Sequence, residues 1–170
     1  AYAAYESLAK SSEGKLRLAH CFAHARRKFY ELRATYPTQC KQALDLIDAL
    51  FLIERALPSP HGLSGEAKVA ALELRRLRRD QESRPLTLAL KQWAEQQTAL
   101  PRSALAEALG YLLGHWMGLT AFLEDPLIPL DNNHTERALR GVVLGRKNHY
   151  GSRSVRGTQV AAIFYTLIET

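Results

Sequence analysis

Apolar positions along this chain recur mostly at steps of three and four. In "AYAAYESLAK", Tyr2, Tyr5 and Leu8 keep helical spacing, and Gly14 is a plausible stop. "KLRLAHCF" differs: Leu16, Leu18, His20 and Phe22 alternate, which predicts a strand. Phe22, Ala25, Phe29, Leu32 and Tyr36 then step by three and four, predicting an amphipathic helix ended by Pro37. Helical periodicity continues to about Leu123, in segments near 38–57, 65–82, 86–98 and 102–123. The separators "PSPHG", "SRP" and "LPRS" each contain proline, and Ser64, Ser83 and Ser103 are suited to cap the helices that follow.

Two details interrupt this pattern. Gly110, Gly114 and Gly118 recur every four residues down one helix face. Glycine costs about 1 kcal/mol inside a helix, so the repeat predicts close approach of another helix. After Leu123, Ile128 and Leu130 form a very short extended piece. A helix containing Glu136 follows, then a loop rich in Gly, Arg and Lys, and "GTQVAAIFYTLIET" closes the chain as a helix. No internal repeat or low-complexity segment is present.

Composition places these elements in a globular protein. Hydrophobic residues make up 46% and charged residues 24% of 170 residues, a balance unlike that of disordered chains. One domain of this length buries roughly 70% of its unfolded surface. No apolar run approaches the ~18 residues of a membrane span, and none opens the chain as a secretory signal would. Cys21 and Cys40 lie far apart, so the expectation is a reduced, cytoplasmic protein without membrane contact. The chain opens on Ala1 instead of Met, as a piece of a longer protein would.

The net charge of +6 is unevenly spread. Residues 15–33 hold Lys15, Arg17, Arg26, Arg27, Lys28 and Arg33 against Glu31 alone. Residues 131–157 hold Arg137, Arg140, Arg146, Lys147, Arg153 and Arg156 against Asp131 and Glu136. Two basic segments so far apart suggest two banks of one polyanion-binding surface, or else two solvated faces. "LRRLRRD" at 74–80 is a third basic patch, fit either to track DNA or to be solvated.

Candidate chemistry clusters in three motifs. In "DNNHTERALR", Asn133 and Glu136 have the spacing of a capping box, supported by Asp131 and Asn132. The same Glu136 is also an ionised oxygen ligand of the kind Mg²⁺ requires, favoured by the helix dipole. Arg140 lies one turn further on the same face, where a phosphate could be gripped, and Arg137 adds a second cation. "LGRKNHYGS" sets Arg146, Lys147 and Asn148 between glycines, suited to a nucleic-acid backbone or to a plain surface loop. "HCFAHARRKF" contains Cys21-x-x-His24, but two further zinc ligands at finger-like spacing are lacking. His24 reads as a helix-start residue facing a phosphate or a catalytic carboxylate, or as a structural histidine. No Gly-rich phosphate loop, serine nucleophile elbow or metalloprotease helix occurs.

Taken in order, "HCFAHARRKFYEL", "LPRSALAEALGYLLGHW", "IPLDNNHTERALRGVVLGRKN", "GS" and "AAIFYTLIET" resemble the transposases of the bacterial insertion-sequence 66 family. The resemblance spans nearly the whole chain, and the DNN-x-x-ER-x-x-R…LGRKN combination is specific. It implies a mainly α chain: the C-terminal part of a ribonuclease-H-like α/β core, with one or two short strands and a large helical insertion. Residues 1–36 would be partial core, 37–125 the insertion, and 126–170 the return to the core.

The implied catalyst is an Asp-Asp-Glu triad that cleaves and transfers DNA strands with two Mg²⁺ ions. Glu136 takes the glutamate's place and is the metal ligand in this chain. "AYAAY" resembles the residues after the second aspartate, which places both aspartates ahead of Ala1. This chain alone would then be inactive. Phe22, where the family often has Trp, and His149-Tyr150, where it often has a more apolar pair, are departures that do not touch the triad. Implied partners are element ends and target DNA, the rest of the transposase chain, and further copies on DNA. The competing reading is a non-catalytic helical DNA-binding module or transposase remnant, with Glu136 only a cap.

Overall fold

The computed structural model describes residues 2–133, 136–137 and 154–169, and of their side chains those of 7–133, 136, 137, 154–160, 162 and 163. Helix α1 spans Tyr2–Ser11 and ends where expected, with Glu13 and Gly14 both at positive φ. The predicted strand is not formed: residues 16–21 carry no regular structure, and no strand is assigned among the described residues. Alternation selects an extended backbone, but a strand also needs a neighbour that completes its ladder. Here the backbone amides split between two places. His20 N donates to the Gly118 carbonyl at 2.9 Å and Phe22 N to the Leu130 carbonyl at 3.1 Å. The two segments expected to be extended thus meet through one hydrogen bond.

Helix α2, Phe22–Leu32, buries Phe22, Ala25 and Phe29. Its three-four spacing turns one apolar stripe inward, as read from the sequence. It stops before Pro37, which instead opens α3, Pro37–Ala56; proline is tolerated there because a first-turn N–H has no helical partner to lose. Cys40, Ala43, Ile47 and Leu50 form the buried stripe of α3.

Helix α4, Gly65–Arg78, does not end at the expected break. It continues through a π-turn, Arg79–Ser83, into α5, Arg84–Gln96. Pro85 sits in the first turn of α5, and the wider π-turn accommodates its missing N–H without breaking the rod. Ser83 is therefore no cap: it is helical and fully buried. Ser64 precedes α4 in an extended conformation but makes no side-chain cap bond. Ser103 does cap α6, Ala104–Gly114, its Oγ accepting from Ala106 N at 3.2 Å. The helix predicted to run on to 123 is interrupted at His115 and Thr120, giving short α7, Trp116–Leu119, and α8, Ala121–Glu124.

One core joins α2, α3, α5, α6 and the α7–α8 turn, with Leu130 at its margin. Phe22 meets Phe122 edge-on at 5.9 Å, and Phe29 meets Trp93 at 5.8 Å. Such aromatic pairs add about 1 kcal/mol beyond their buried area. Residues 1–131 form one compact unit and residues 132–170 a second, which holds α9, Val155–Glu169.

The glycine repeat has a different cause from the one predicted. Nothing lies within 4 Å of where a Cβ would stand on Gly110 or Gly114, so no helix approaches there. At Gly118 a Cβ would overlap the His20 ring, whose own backbone is held to the Gly118 carbonyl. Gly118→Ala should therefore destabilise the fold by about 1–3 kcal/mol. Gly110→Ala, in open space on a helix, should stabilise it by up to about 1 kcal/mol. Thermal unfolding of the two variants checks this; equal shifts would remove the steric account.

Candidate functional site

The basic segment of α2 does not present one charged face. Arg26 flanks the core stripe on one side and donates from Nε to Asp48 Oδ1 at 2.6 Å and from Nη2 to Oδ2 at 3.2 Å. That bond to Asp48 raises the Arg26 pKa above its ordinary value. The Arg33 guanidinium stacks 3.8 Å from the Tyr30 ring, and Arg26 lies 5.5 Å from the same ring. On the other side Lys28 lies over Tyr111 of α6, its Nζ 4.9 Å from the ring centroid. Arg27 points outward and is exposed. Of the three cations expected to meet DNA on α2, two are engaged by neighbours in this chain, and Arg27 is the exposed one.

His24 stands half-buried on the first turn of α2, its amide donating to the Cys21 carbonyl at 3.2 Å. Neighbouring His20 packs edge-on against His115 at 4.6 Å, and His115 stacks on Tyr111 at 4.4 Å. Lys28, Tyr111, His115 and His20 thus follow one another along the seam between α2 and the end of α6. Cys21 and Cys40 are buried free thiols, and burial pushes the Cys40 thiol up.

The patch "LRRLRRD" divides between surface and interior. Arg76 is exposed, and Arg78 pairs with Glu82 one turn on. Arg75 and Arg79 are buried, their side chains 9% and 1% exposed, and both bind Glu54 of α3, itself 11% exposed. Arg79 Nε donates to Glu54 Oε1 at 2.7 Å, while Arg75 Nη2 donates to Oε2 at 2.6 Å. Burial lowers the Arg75 pKa and the Glu54 carboxylate opposes that shift. Neither alternative read from the sequence fits these two residues: they neither track DNA nor face solvent. The clue was available, since Ala71, Arg75 and Arg79 are spaced at i, i+4, i+8 along the inward face that α4 and the start of the π-turn share.

At the start of the second unit, the Glu136 amide donates to the Asn132 carbonyl at 2.9 Å. That i→i−4 bond opens the helical turn from Asn132, one residue earlier than the expected Asn133 cap. Glu136 and Arg137 are both exposed, and Arg137 Nε donates to the Asn133 carbonyl at 3.2 Å. An exposed carboxylate one turn into a helix lies in the favourable end of the helix dipole. Arg140, Arg146, Lys147 and Asn148 lie outside the described residues.

Among the described residues no group of three or more His, Cys, Asp or Glu side chains is placed to hold a metal ion. Glu136 contributes a single carboxylate, so the described residues do not by themselves fit a two-ion centre. None of the described helices is long and apolar enough to cross a membrane.

Comparison with known proteins bears on this arrangement. The model of the family described as "Transposase IS66 family" matches residues 1–160. The uncharacterized protein y4jD of Sinorhizobium fredii (strain NBRC 101917 / NGR234) is 36% identical over 174 residues, covering 99% of this chain and 32% of its own length. From the same organism, the uncharacterized protein y4hP is 38% identical, covering 89% of this chain and 28% of its own. A third, y4qI, is 31% identical, covering 99% and 31%. The chain therefore spans about a third of the length of the curated relatives it matches. No solved structure matches it.

Proposed function

The chain belongs to the Transposase IS66 family, and from that membership we propose that it is the C-terminal part of an enzyme that cleaves and transfers DNA strands during transposition of an insertion sequence. The observation that carries the reading is that the matched span runs through the Asn132–Arg137 turn, where an exposed carboxylate sits beside an arginine in a first helical turn. Glu136 is the glutamate of the Asp-Asp-Glu catalytic set. The aspartates that complete it belong to a ribonuclease-H-like core formed with the rest of the transposase chain. When complete, that set supplies divalent-ion chemistry at a phosphodiester; residues 1–170 do not complete it.

The remaining roles follow from chemistry. Arg27 binds backbone phosphate without reading sequence, as exposed arginines do. Lys28 and Arg26 reinforce the local potential while keeping their partners Tyr111 and Asp48. His24, at the opening of α2, orients a phosphate or the catalytic carboxylate. Arg137, with Arg140, Arg146, Lys147 and Asn148, holds the strand that flanks Glu136. Residues 37–125 are the helical insertion, and the whole acts as more than one copy on paired element ends.

Residues 1–170 alone should bind DNA but neither nick nor join it in Mg²⁺ or Mn²⁺. Incubation with element-end DNA tests this: metal-dependent nicking that disappears in Glu136→Gln would mean the site completes itself within this chain. Binding should be electrostatic. Arg27→Ala should flatten the slope of log affinity against log salt by about 0.9, the value of one lost phosphate contact. Arg26→Ala should flatten it less, because Asp48 already holds that charge. Fluorescence anisotropy across a salt series measures both, and affinity that ignores salt would exclude a DNA surface here.

A further inference from the structure

Phe29 and Tyr30 are neighbours on α2 with opposite fates: Phe29 is fully buried, and Tyr30 is 43% exposed. An aromatic ring is among the largest apolar surfaces that a side chain can withdraw from water, so one left outside needs a cause. The Arg33 guanidinium lies 3.8 Å from the centroid of the Tyr30 ring, and that of Arg26 lies 5.5 Å from it. Both cations are held in place by further bonds. Arg33 Nη1 donates to the Tyr30 carbonyl at 2.7 Å, and Asp48 holds Arg26 through two bonds. Side-chain pairs on a helix surface add little stability. These contacts therefore do not by themselves explain a large ring kept in water.

Their chemistry points outward. A phenol ring and a guanidinium are both flat, and a nucleobase stacks on either. Stacked on each other, Tyr30 and Arg33 form the kind of platform that takes successive bases of a single strand, strengthened by the cation beside the ring. Among the described residues Arg33 pairs with no carboxylate, so its charge stays uncompensated at the platform. Exposed Arg27 lies three residues before Tyr30, about 4.5 Å along the helix axis and on the same solvent side. A nucleotide whose phosphate meets Arg27 has its base within reach of Tyr30. Glu31, the one acid of α2, falls on the side of Arg27 away from Tyr30. A paired base does not fit this site, because a duplex offers its grooves only the edges of its bases.

We propose that Tyr30 and Arg33 form a stacking site for an unpaired base of a DNA strand, beside the phosphate contact of Arg27. The site rests on the DNA-binding reading above and adds what phosphate contacts alone do not give, a preference for single-stranded or frayed DNA over duplex. All of its residues lie on α2 and its C-cap, within the 1–131 unit.

The test uses the full transposase chain and two probes of equal length and charge: a single strand of deoxythymidines, and the same backbone without bases. Fluorescence anisotropy gives Kd for each across a salt series. The deciding quantity is the ratio of the abasic Kd to the thymidine Kd, the part of the affinity that the bases supply. In the wild type this ratio should be about 5- to 30-fold, the range for one stacked base. Tyr30→Leu, which removes the flat ring and keeps a good helix former, should lower it at least about threefold without changing the salt slope. Tyr30→Phe should keep it, and duplex affinity should change less than about twofold in both variants.

The proposal fails if the wild type binds both strands equally, or if Tyr30→Leu leaves the ratio unchanged. It fails as well if Tyr30→Phe lowers the ratio as far as Tyr30→Leu does, since the hydroxyl and not the ring face would then be responsible. Should Tyr30→Leu not fold, Arg33→Lys decides by the same ratio, because lysine keeps the charge and loses the plane. Affinity for both strands that ignores salt overturns the DNA-binding reading of this face and the stacking site with it. Affinity that falls with salt, with a ratio untouched by Tyr30→Leu, overturns the stacking site alone.

Discussion

Glu136→Gln in the full transposase chain should lower strand cleavage by at least about 100-fold, on the scale seen when a member of a catalytic set is removed. Two roles compete for this side chain, and the substitution separates them. Glutamine keeps the length and shape of glutamate and can still hydrogen-bond at a helix start. A merely capping Glu136 would therefore cost less than the ~1 kcal/mol typical of losing an N-cap. The residue is exposed, so no core contact is lost. What glutamine cannot supply is the ionised oxygen. DNA affinity should change little, because the phosphate contacts proposed above belong to cationic side chains and not to Glu136. Cleavage of element-end DNA, beside anisotropy and thermal unfolding of the same preparation, checks all three. Near wild-type cleavage would return Glu136 to the role of a cap.

Arg79→Met should destabilise the fold by about 3–5 kcal/mol, the range for removing one partner of a buried ion pair. With this chain length, that is a fall of roughly 10 °C in unfolding temperature. The cost has two sources. Glu54 loses two of its donors and keeps Arg75, so a buried carboxylate is left under-compensated. The carbonyls of Phe122, Asp125 and Ile128 lose their donor in a place water reaches poorly. Adding Glu54→Met to Arg79→Met should restore part of the loss, because the second change removes the stranded charge. Thermal or urea unfolding of both singles and the double gives the coupling. A double variant whose loss equals the sum of the singles would mean that Arg79 and Glu54 are not energetically coupled.

Much of the helical architecture was legible. The three-four stripe of α2 buries Phe22, Ala25 and Phe29 as spacing requires, and Ser103 caps α6 as residue type requires. These features depend on residues within a turn or two of one another. The failures have a common form. Leu16 to Phe22 alternate like a strand, but their amides bond to Gly118 and Leu130, and no ladder forms. Ser83 and Pro85 carry the local signs of a break, yet the rod continues because Arg79 and Ser83 are buried against other helices. Gly118 marks a close approach, but by the His20 side chain and not by a helix.

The candidate site divides along the same line. Its candidate residues could be named from the sequence: Glu136 from the family resemblance of its motif, which by spacing alone read equally as a cap, and Arg26, Arg27 and Lys28 from their charge. Which of those charges is available to a phosphate could not, because Asp48 lies twenty-two residues from Arg26 and Tyr111 on a different helix from Lys28. The sequence by itself determined helical periodicity, the stripe that each helix buries, the location of positive charge and the motif around Glu136, since spacing and residue type are local properties of a chain. Only the tertiary structure decided that Arg75 and Arg79 go inside. A lone arginine is kept out of a protein interior by its hydration, and Glu54 from α3 with the carbonyls of Pro58, Phe122, Asp125, Pro126 and Ile128, assembled from distant parts of the chain, offsets that cost.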